Sequence, residues 1–383
     1  MNFELTEQQE LVRRSVRKFS EEVLAPVAPT FDREAKYSRE MVEELSKINA
    51  FGIQLPEKYG GAELDSISYA ITIEEISRIC ASTGLMLTVH NSVGAYPLYK
   101  FGSDEQKERY LHDIATGKKI SGFSLTEPNA GSDAQGIESM MVQDGNDFIL
   151  NGSKIFVTNG AIGSVMLIGA RYETAKGEKG LATIILEKDM EGYEIGQPED
   201  KMGVRGNITT SLYFHNVRVP KENVLGSLND GFKIAMQTID AGRIGIAAQA
   251  LGIAQAAYEK SVEYSQGRIQ FKRPISHFQG ISFKLAEMST KIDAARLLIY
   301  RAAFKKDYSK ARYSKESAMC KYYASKIARQ VTQEAIQIHG GYGYMKDLPL
   351  ERFYRDAKVT EIYEGTSEIM KLIIAQQILR GNL

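Results

Sequence analysis

The feature that most restricts the fold of this 383-residue chain is a change in the spacing of its apolar residues, from a three-four rhythm to alternation and back. Val12, Val16, Phe19 and Val23 recur at steps of four and three, and Thr6 with Gln9 has the pattern of a capping box ahead of them. Helical spacing, broken by short loops such as residues 56–61, runs on to about Gly117. Phe148 and Leu150 then alternate with polar neighbours up to Asn151-Gly152, the dipeptide best suited to a tight hairpin, and Ile155 and Val157 resume the alternation. Residues 165–168, 181–186 and 212–219 are further strands, which predicts a compact β domain over roughly 121–220. After a loop to Gly231, Leu285, Met288, Ile292, Ala295, Ile299 and Ala302 return to the three-four rhythm of a helix bundle core. The expected class is α+β, divided at 1–120, 121–228 and 229–383.

That order excludes much. No GxGxxG follows a strand and opens a helix, and neither a GxxxxGK[ST] nor an HExxH sequence is present. Lys plus Arg and Asp plus Glu are equal at 48, so no global field draws the chain to nucleic acid or an anionic membrane. Cys80 and Cys320 stand far apart, which argues for buried thiols over a disulfide frame or zinc, and the five histidines do not cluster. The start is acidic, without the basic and apolar regions of a secretion signal, and no apolar run is long enough to cross a bilayer. The expectation is a cytoplasmic protein. Gly242, Gly245 and Gly252 lie in an alanine-rich helical segment, where each costs about 1 kcal/mol. A close backbone approach is the expected return.

The segment FSLTEPNAGSD, residues 123–133, reads as a loop built to touch a ligand. Thr126, Asn129 and Ser132 supply hydrogen bonds, Ala130 and Gly131 admit close approach, and Phe123 and Leu125 add an apolar edge. A flat heteroaromatic ring with polar rims suits that mixture, as does a solvated turn. Glu364 precedes Gly365, Thr366 and Ser367, with Thr366 placed to cap the helix that follows. Taken alone, such a carboxylate is a partner of the helix dipole, Arg268 is a surface cation, and Gly340-Gly341 is a helix-ending turn.

Five blocks in one order change that reading. FSLTEPNAGSD, DAGRIGIAAQALGIAQAA from Asp240, YSQGRIQFKRPISHFQGI from Tyr264, QIHGGYGYMKDLPLERFYRD from Gln337 and IYEGTSEI from Ile362 together resemble the acyl-CoA dehydrogenase family over essentially the whole chain. The resemblance implies an N-terminal helical domain, a central β-barrel-like domain and a C-terminal four-helix bundle. It implies FAD as cofactor and Glu364 as the general base that removes the α-proton of an acyl-CoA thioester, while the β-hydrogen leaves as hydride to the flavin. Relatives that carry the base beside the earlier Arg have their counterpart here at Gly242. Residues Phe123, Ser124, Leu125, Thr126, Gly131 and Ser132, with Phe156, Val157 and Thr158, are implied to line the flavin, Phe156 standing where the family often has Trp. Arg268, Phe271, Gln279, Gln337, Ile338, His339, Gly340 and Gly341 are implied to reach the rest of FAD from a neighbouring subunit, and Thr366, Ser367 and Glu368 to close the site. Ser132, Asp240, Arg243 and Gly365 match acyl-CoA positions.

The pattern, including STGLMLTVHNS from Ser82, is most similar to short-chain, butyryl-CoA members, and Gly84 stands near where glutaryl-type relatives carry an Arg. The resemblance further implies an electron-transferring flavoprotein as redox partner, either reaction direction, and a homotetramer built as a dimer of dimers. A short branched-chain dehydrogenase, a flavin oxidase and a noncatalytic helical scaffold are the alternatives.

Overall fold

The computed structural model describes residues 4–36, 38–309 and 311–381. Its N-terminal helices are α1 (Glu7–Phe19), α2 (Ala28–Glu34), α3 (Arg39–Lys47), α4 (Ser66–Ile79), α5 (Ala81–Thr88), α6 (Tyr96–Phe101) and α7 (Asp104–Ala115). The expected capping box starts α1: the Gln9 N–H donates to the Thr6 hydroxyl at 3.3 Å and the Thr6 N–H donates to Gln9 Oε1 at 2.9 Å. After α5 the helix widens into a π-helical stretch, Val89–Ala95, that carries His90. The Ser121 N–H donates to His90 Nδ1 at 3.1 Å, which leaves Nε2 to donate to the Ile114 carbonyl at 3.1 Å. Burial holds this imidazole neutral by lowering its pKa to about 4, so it ties α7 to the sheet as a fixed bridge.

The sheet consists of β1 (Ser121–Ser124), β2 (Met140–Asp144), β3 (Asp147–Thr158), β4 (Val165–Glu173), β5 (Lys179–Glu187), β6 (Tyr193–Pro198) and β7 (Thr209–Val219). β4 has β5 on one side; on the other it meets β1 at its start and β2 at its end, both parallel, and β3, β7 and β6 follow antiparallel. With β1, β5 and β6 each paired on one side only, the barrel-like domain is an open, curled sheet.

Two expectations need correction here. Asn151-Gly152 is no hairpin turn: β3 runs through it, and the β2–β3 turn lies at 144–147, where Gly145 has φ +64°. The register against β7 shifts between Leu150 and Gly152, so the dipeptide makes a bulge, and a Cβ on Gly152 would lie 2.5 Å from Ser139 Oγ. Phe123 and Ser124 also belong to strand β1, not to the loop, pairing with Leu167 and Ile168.

Beyond the sheet come α8 (Gly231–Gly267), the short strands β8 (Ile269–Gln270) and β9 (Arg273–Pro274), α9 (Gln279–Tyr308), α10 (Ser314–His339), α11 (Gly341–Tyr344), α12 (Leu350–Val359) and α13 (Ser367–Leu379). Met288, Ile292, Ala295, Ile299 and Ala302 are buried as their rhythm predicts, and Leu285 packs against them half-buried. One core joins the two helical parts, since Phe51, Ile73 and Met86 share it with Ile244, Ile253, Ile299 and Ile327. The sheet keeps a second core around Leu150, Ile168, Ile184 and Phe214.

The glycines of α8 make this packing possible. A Cβ on Gly252 would stand 2.3 Å from the Glu74 carbonyl and 2.9 Å from the Arg78 nitrogen, both main-chain atoms of α4. Gly252→Ala should gain about 1 kcal/mol of helix propensity but lose about 1–3 kcal/mol or more to an overlap that no rotamer relieves. Urea unfolding is expected to show a net loss of stability; a stabilised variant would contradict the packing described.

Candidate active site

α12 ends at Val359, and the turn that follows delivers Glu364 and Gly365 in left-handed conformations, with φ +51° and +99°. A left-handed glutamate is strained by roughly 1 kcal/mol, so its surroundings must hold it. Arg243 Nε on α8 donates to the Glu364 carbonyl at 3.3 Å, and Lys321 Nζ on α10 donates to the Gly365 carbonyl at 2.6 Å. Thr366 caps α13 as expected, accepting from the Ile369 N–H at 3.3 Å, and the Ser367 N–H returns to the Glu361 carbonyl at 3.0 Å. Tyr363 donates to Gln249 Oε1 at 2.5 Å, which fixes the turn to α8 from its other side. Glu368 lies exposed in the first turn of α13.

The Glu364 residue is half-buried as a whole, but its Oε2 is sealed from solvent and has no hydrogen-bond partner in the protein. It occupies a notch in α8: a Cβ on Gly242 would lie 2.0 Å from Oε2 and 2.7 Å from the carboxyl carbon. The close approach expected of Gly242 is therefore an approach by this carboxyl group. Burial raises its pKa to about 7 against the opposing charges of Arg243 and Lys321. Arg243 also donates to Asp240 Oδ1 at 2.7 Å, and Asp240 takes further bonds from Arg312 at 3.2 Å and from the Ser314 hydroxyl.

The loop after β1 is braced from below. Lys154 Nζ on β3 donates to Glu127 Oε1 at 2.5 Å and to the Leu125 carbonyl at 3.1 Å, and the Ile155 N–H donates to the Thr126 carbonyl at 3.0 Å. Burial works against the Glu127 charge, but the Lys154 ammonium and neighbouring N–H groups outweigh it and hold the carboxyl below its ordinary range. On this brace Ser124 and Leu125 are buried, Phe123 and Thr126 half-buried, and Gly131 and Ser132 exposed. Nothing in the protein would meet a Cβ at Gly131, so any close approach there comes from outside the chain.

At the far end of β3 the backbone turns left-handed at Phe156, with φ +55°, and the ring is 63% exposed. Val157 points into the sheet core and Thr158 is half-buried. Asn159 follows and donates to the Met86 carbonyl at 3.2 Å and the Ser121 carbonyl at 3.3 Å, so this strand end is tied to α5 and β1. An exposed aromatic on a fixed, strained backbone beside a loop with exposed hydroxyls fits a flat ring. An unpartnered buried carboxyl oxygen fits a substrate proton.

A second group of the expected residues gathers elsewhere. A pocket of about 480 Å³ is lined by Tyr264, Arg268, Gln270, Ile275, Ile338, His339, Gly340, Gly341, Tyr342 and Met345. His339 stacks on Tyr264 with ring centroids 4.3 Å apart, and the Arg268 guanidinium lies 5.7 Å from the Tyr342 ring centroid. Phe271 is 88% exposed at the β8–β9 turn, Gln279 opens α9, and Gln337 is exposed on the last turn of α10. Arg268 follows Gly242 by about 40 Å along α8, so the two groups stand far apart on that helix. Lys321, Glu127 and Lys154 were missed in the sequence because lysines and glutamates on amphipathic elements read as solvated; only the folded contacts distinguish them.

Three family models match this chain: the acyl-CoA dehydrogenase N-terminal domain over residues 6–118, the middle domain over 122–217 and the C-terminal domain over 229–379. A 3-(aryl)acrylate reductase of Clostridium sporogenes is 46% identical over 375 residues, covering 98% of this chain and 99% of that protein. A short-chain specific acyl-CoA dehydrogenase of Clostridium acetobutylicum is 44% identical over 380 residues, covering 99% and 100%. The butyryl-CoA dehydrogenase structure from Megasphaera elsdenii superimposes with a TM-score of 0.96 at 43% identity, covering 99% of this chain and 100% of that one.

The raised pKa of Glu364 has a thermodynamic sign. A carboxyl whose folded pKa is about 7 against an ordinary 4.5 favours folding when protonated; that contribution is full below pH 4.5 and is lost as pH rises through 7. At about 1.4 kcal/mol per pH unit the loss is about 3 kcal/mol. Glu364→Gln resembles the protonated acid. Its stability by urea unfolding should match that of the parent near pH 4.5 and exceed it by up to about 3 kcal/mol above pH 7. Parallel curves across that range would show that the carboxyl is not held as described.

Proposed function

The chain belongs to the acyl-CoA dehydrogenase family of FAD-dependent oxidoreductases, and we propose that within it this protein interconverts a short-chain acyl-CoA, such as butyryl-CoA, and its trans-2-enoyl-CoA. The observation that carries the proposal is the Glu364 carboxyl: sealed, unpartnered at Oε2, and seated in the notch left by Gly242. A base must be ionised to take a proton yet basic enough to hold it, and a pKa near the working pH satisfies both demands. Glu364 takes the α-proton at Oε2; in the reverse reduction the protonated carboxyl returns it. The name of the Clostridium sporogenes reductase supports that second direction.

A general base accounts for about two to four orders of magnitude, so the enolate-like oxygen needs its own stabilisation. The Glu364 N–H is the proposed donor, an interaction of about 3 kcal/mol. Its direction is set by the left-handed backbone that Arg243 and Lys321 hold. Phe123, Ser124, Leu125, Thr126, Gly131 and Ser132, with Phe156 and Thr158, would hold the flavin ring; Val157 can contribute only main chain because its side chain is committed to the sheet core. FAD, once bound, supplies the acceptor for the hydride from the β-carbon.

The Arg268 to Gly341 pocket would take the distal part of FAD from a second subunit, since its distance from Glu364 along α8 is too great for one chain to supply both ends. Exposed Ile269, Phe271, Phe283 and Tyr344 around it support a covered surface, consistent with a dimer of dimers. An electron-transferring flavoprotein is the proposed redox partner. No helix among the described residues is long and apolar enough to cross a membrane.

Anaerobic mixing of the flavin-loaded protein with butyryl-CoA should bleach the flavin, and Glu364→Gln should slow this by at least about two orders of magnitude while retaining colour. Bleaching at an unchanged rate would reject the assigned base. In the parent the rate should rise with pH through about 7 as the carboxyl ionises. Lys321→Met removes one of the two charges that favour ionisation, so its rate profile should move to higher pH, and a profile left in place would remove Lys321 from the account.

A further inference from the structure

Gly245 follows Gly242 by three residues on α8, so both lie on one face of the helix, about 5–6 Å apart. A Cβ at Gly242 would meet the Glu364 carboxyl; one at Gly245 would stand 2.2 Å from the Tyr69 hydroxyl and 2.6 Å from Thr88 Cγ2. The second notch therefore receives the Tyr69 phenol from α4, with the Thr88 methyl from the end of α5 beside it. Tyr69 is 1% exposed, and neither its hydroxyl nor Thr88 Oγ1 has a hydrogen-bond partner in the protein. With Gly242 and Gly245 on one face, the Glu364 carboxyl and the Tyr69 phenol sit against α8 about one helical turn apart.

The two ends of that face differ. Toward the start of α8, buried Asp240 pairs with Arg243 and with Arg312, whose side chain is 66% exposed, so this charged cluster reaches solvent through Arg312. In the other direction α8 is buried at every residue from Ile244 to Ala254. A thioester with its α-carbon at Glu364 directs its nucleotide part to the charged end. Its acyl tail enters the closed end, where Tyr69 stands about one helical turn away.

We propose that Tyr69 is a specificity-determining residue: its phenol ring, backed by Thr88, is the end wall of the acyl pocket and confines the substrate to acyl groups with only a few carbons beyond the reacting pair. This rests on the acyl-CoA reading of the site and gives the short-chain preference a physical cause. The notch at Gly245 is what lets the phenol reach the pocket, because any side chain there would displace it.

The test compares kcat/KM for butyryl-CoA and octanoyl-CoA with a dye acceptor, together with equilibrium binding of the matching unreactive alkyl-CoA thioethers. The parent should favour the shorter member in both measurements. Tyr69→Ala should raise the octanoyl-to-butyryl ratio by about tenfold or more, the scale expected when a hydrophobic pocket gains or loses room for methylenes. Tyr69→Phe should leave the ratio near that of the parent, because the ring and not the hydroxyl sets the depth. If alanine prevents folding, Tyr69→Leu retains apolar volume and should shift the ratio in the same direction to a smaller degree. An unchanged ratio in a flavin-loaded alanine or leucine variant overturns the end wall, as does a full shift in Tyr69→Phe. A parent that turns over no acyl-CoA defeats the dehydrogenase reading itself and this inference with it, an outcome distinct from an active parent whose variants keep its profile.

Discussion

A carboxyl group held out of water against a helix with no Cβ to exclude it is the constraint on which this molecule depends. Glu364 fits beside α8 only because position 242 is glycine, and it arrives there only because the turn after α12 takes two successive left-handed residues. Those residues are held by cations from two other helices, Arg243 on α8 and Lys321 on α10. Three stretches of chain, α8, α10 and the turn after α12, must therefore meet closely. The shared core of the N- and C-terminal helices provides that rigidity, since a close-packed interior gives little when one element shifts.

The placement of Arg243 and Lys321 sets the charge balance at Glu364. Neither donates to the carboxylate: Arg243 bonds the Glu364 carbonyl and Asp240, while Lys321 bonds the Gly365 carbonyl. A direct ion pair would have occupied Oε2 and driven the carboxyl pKa well below neutrality. Held at the backbone instead, the cations temper the burial penalty without cancelling it, and the oxygen stays bare. Burial wins by a modest margin, and the result is a group poised near pH 7. The Glu127–Lys154 pair shows the opposite solution in the same molecule. There the contact is direct, Glu127 stays ionised, and the product is a stiff loop with no available base.

Much of this was legible in the sequence, because the helical and strand periods differ and both are strong here. The capping box at Thr6, the cap at Thr366, the buried rhythm of α9 and the need for close approach at Gly242, Gly245 and Gly252 all follow from local rules that the fold did not override. Asn151-Gly152 misled because hairpin and bulge draw on the same backbone freedom, and only the position of β7 decides between them. Phe123 and Ser124 read as loop in the sequence because a four-residue strand, SGFS, with a single large apolar residue carries too little alternation to be seen. Lys321 and Tyr69 could not be found locally. Their roles are contacts to Gly365 and Gly245, which lie 44 and 176 positions away in the chain.

The length of α8 links the two groups of site residues. Its first half carries the notches that receive Glu364 and Tyr69, and its C-terminal end reaches Arg268 beside the Tyr264–His339 stack. Because Lys321 and His339 both lie on α10, that helix runs beside α8 in the same direction and fixes both groups at once. A helix pair of this length cannot bend enough to bring the two groups together, so on the proposed reading a cofactor that needs both sets of contacts would find them on different copies. The left-handed turn at Phe271 and Lys272, with φ +50° and +66°, would in the proposed assembly present its exposed aromatic ring to a second copy. On the proposed assembly, oligomerisation completes the cofactor site, and the dissociated subunit would retain its base and its acyl pocket while losing half of its hold on FAD.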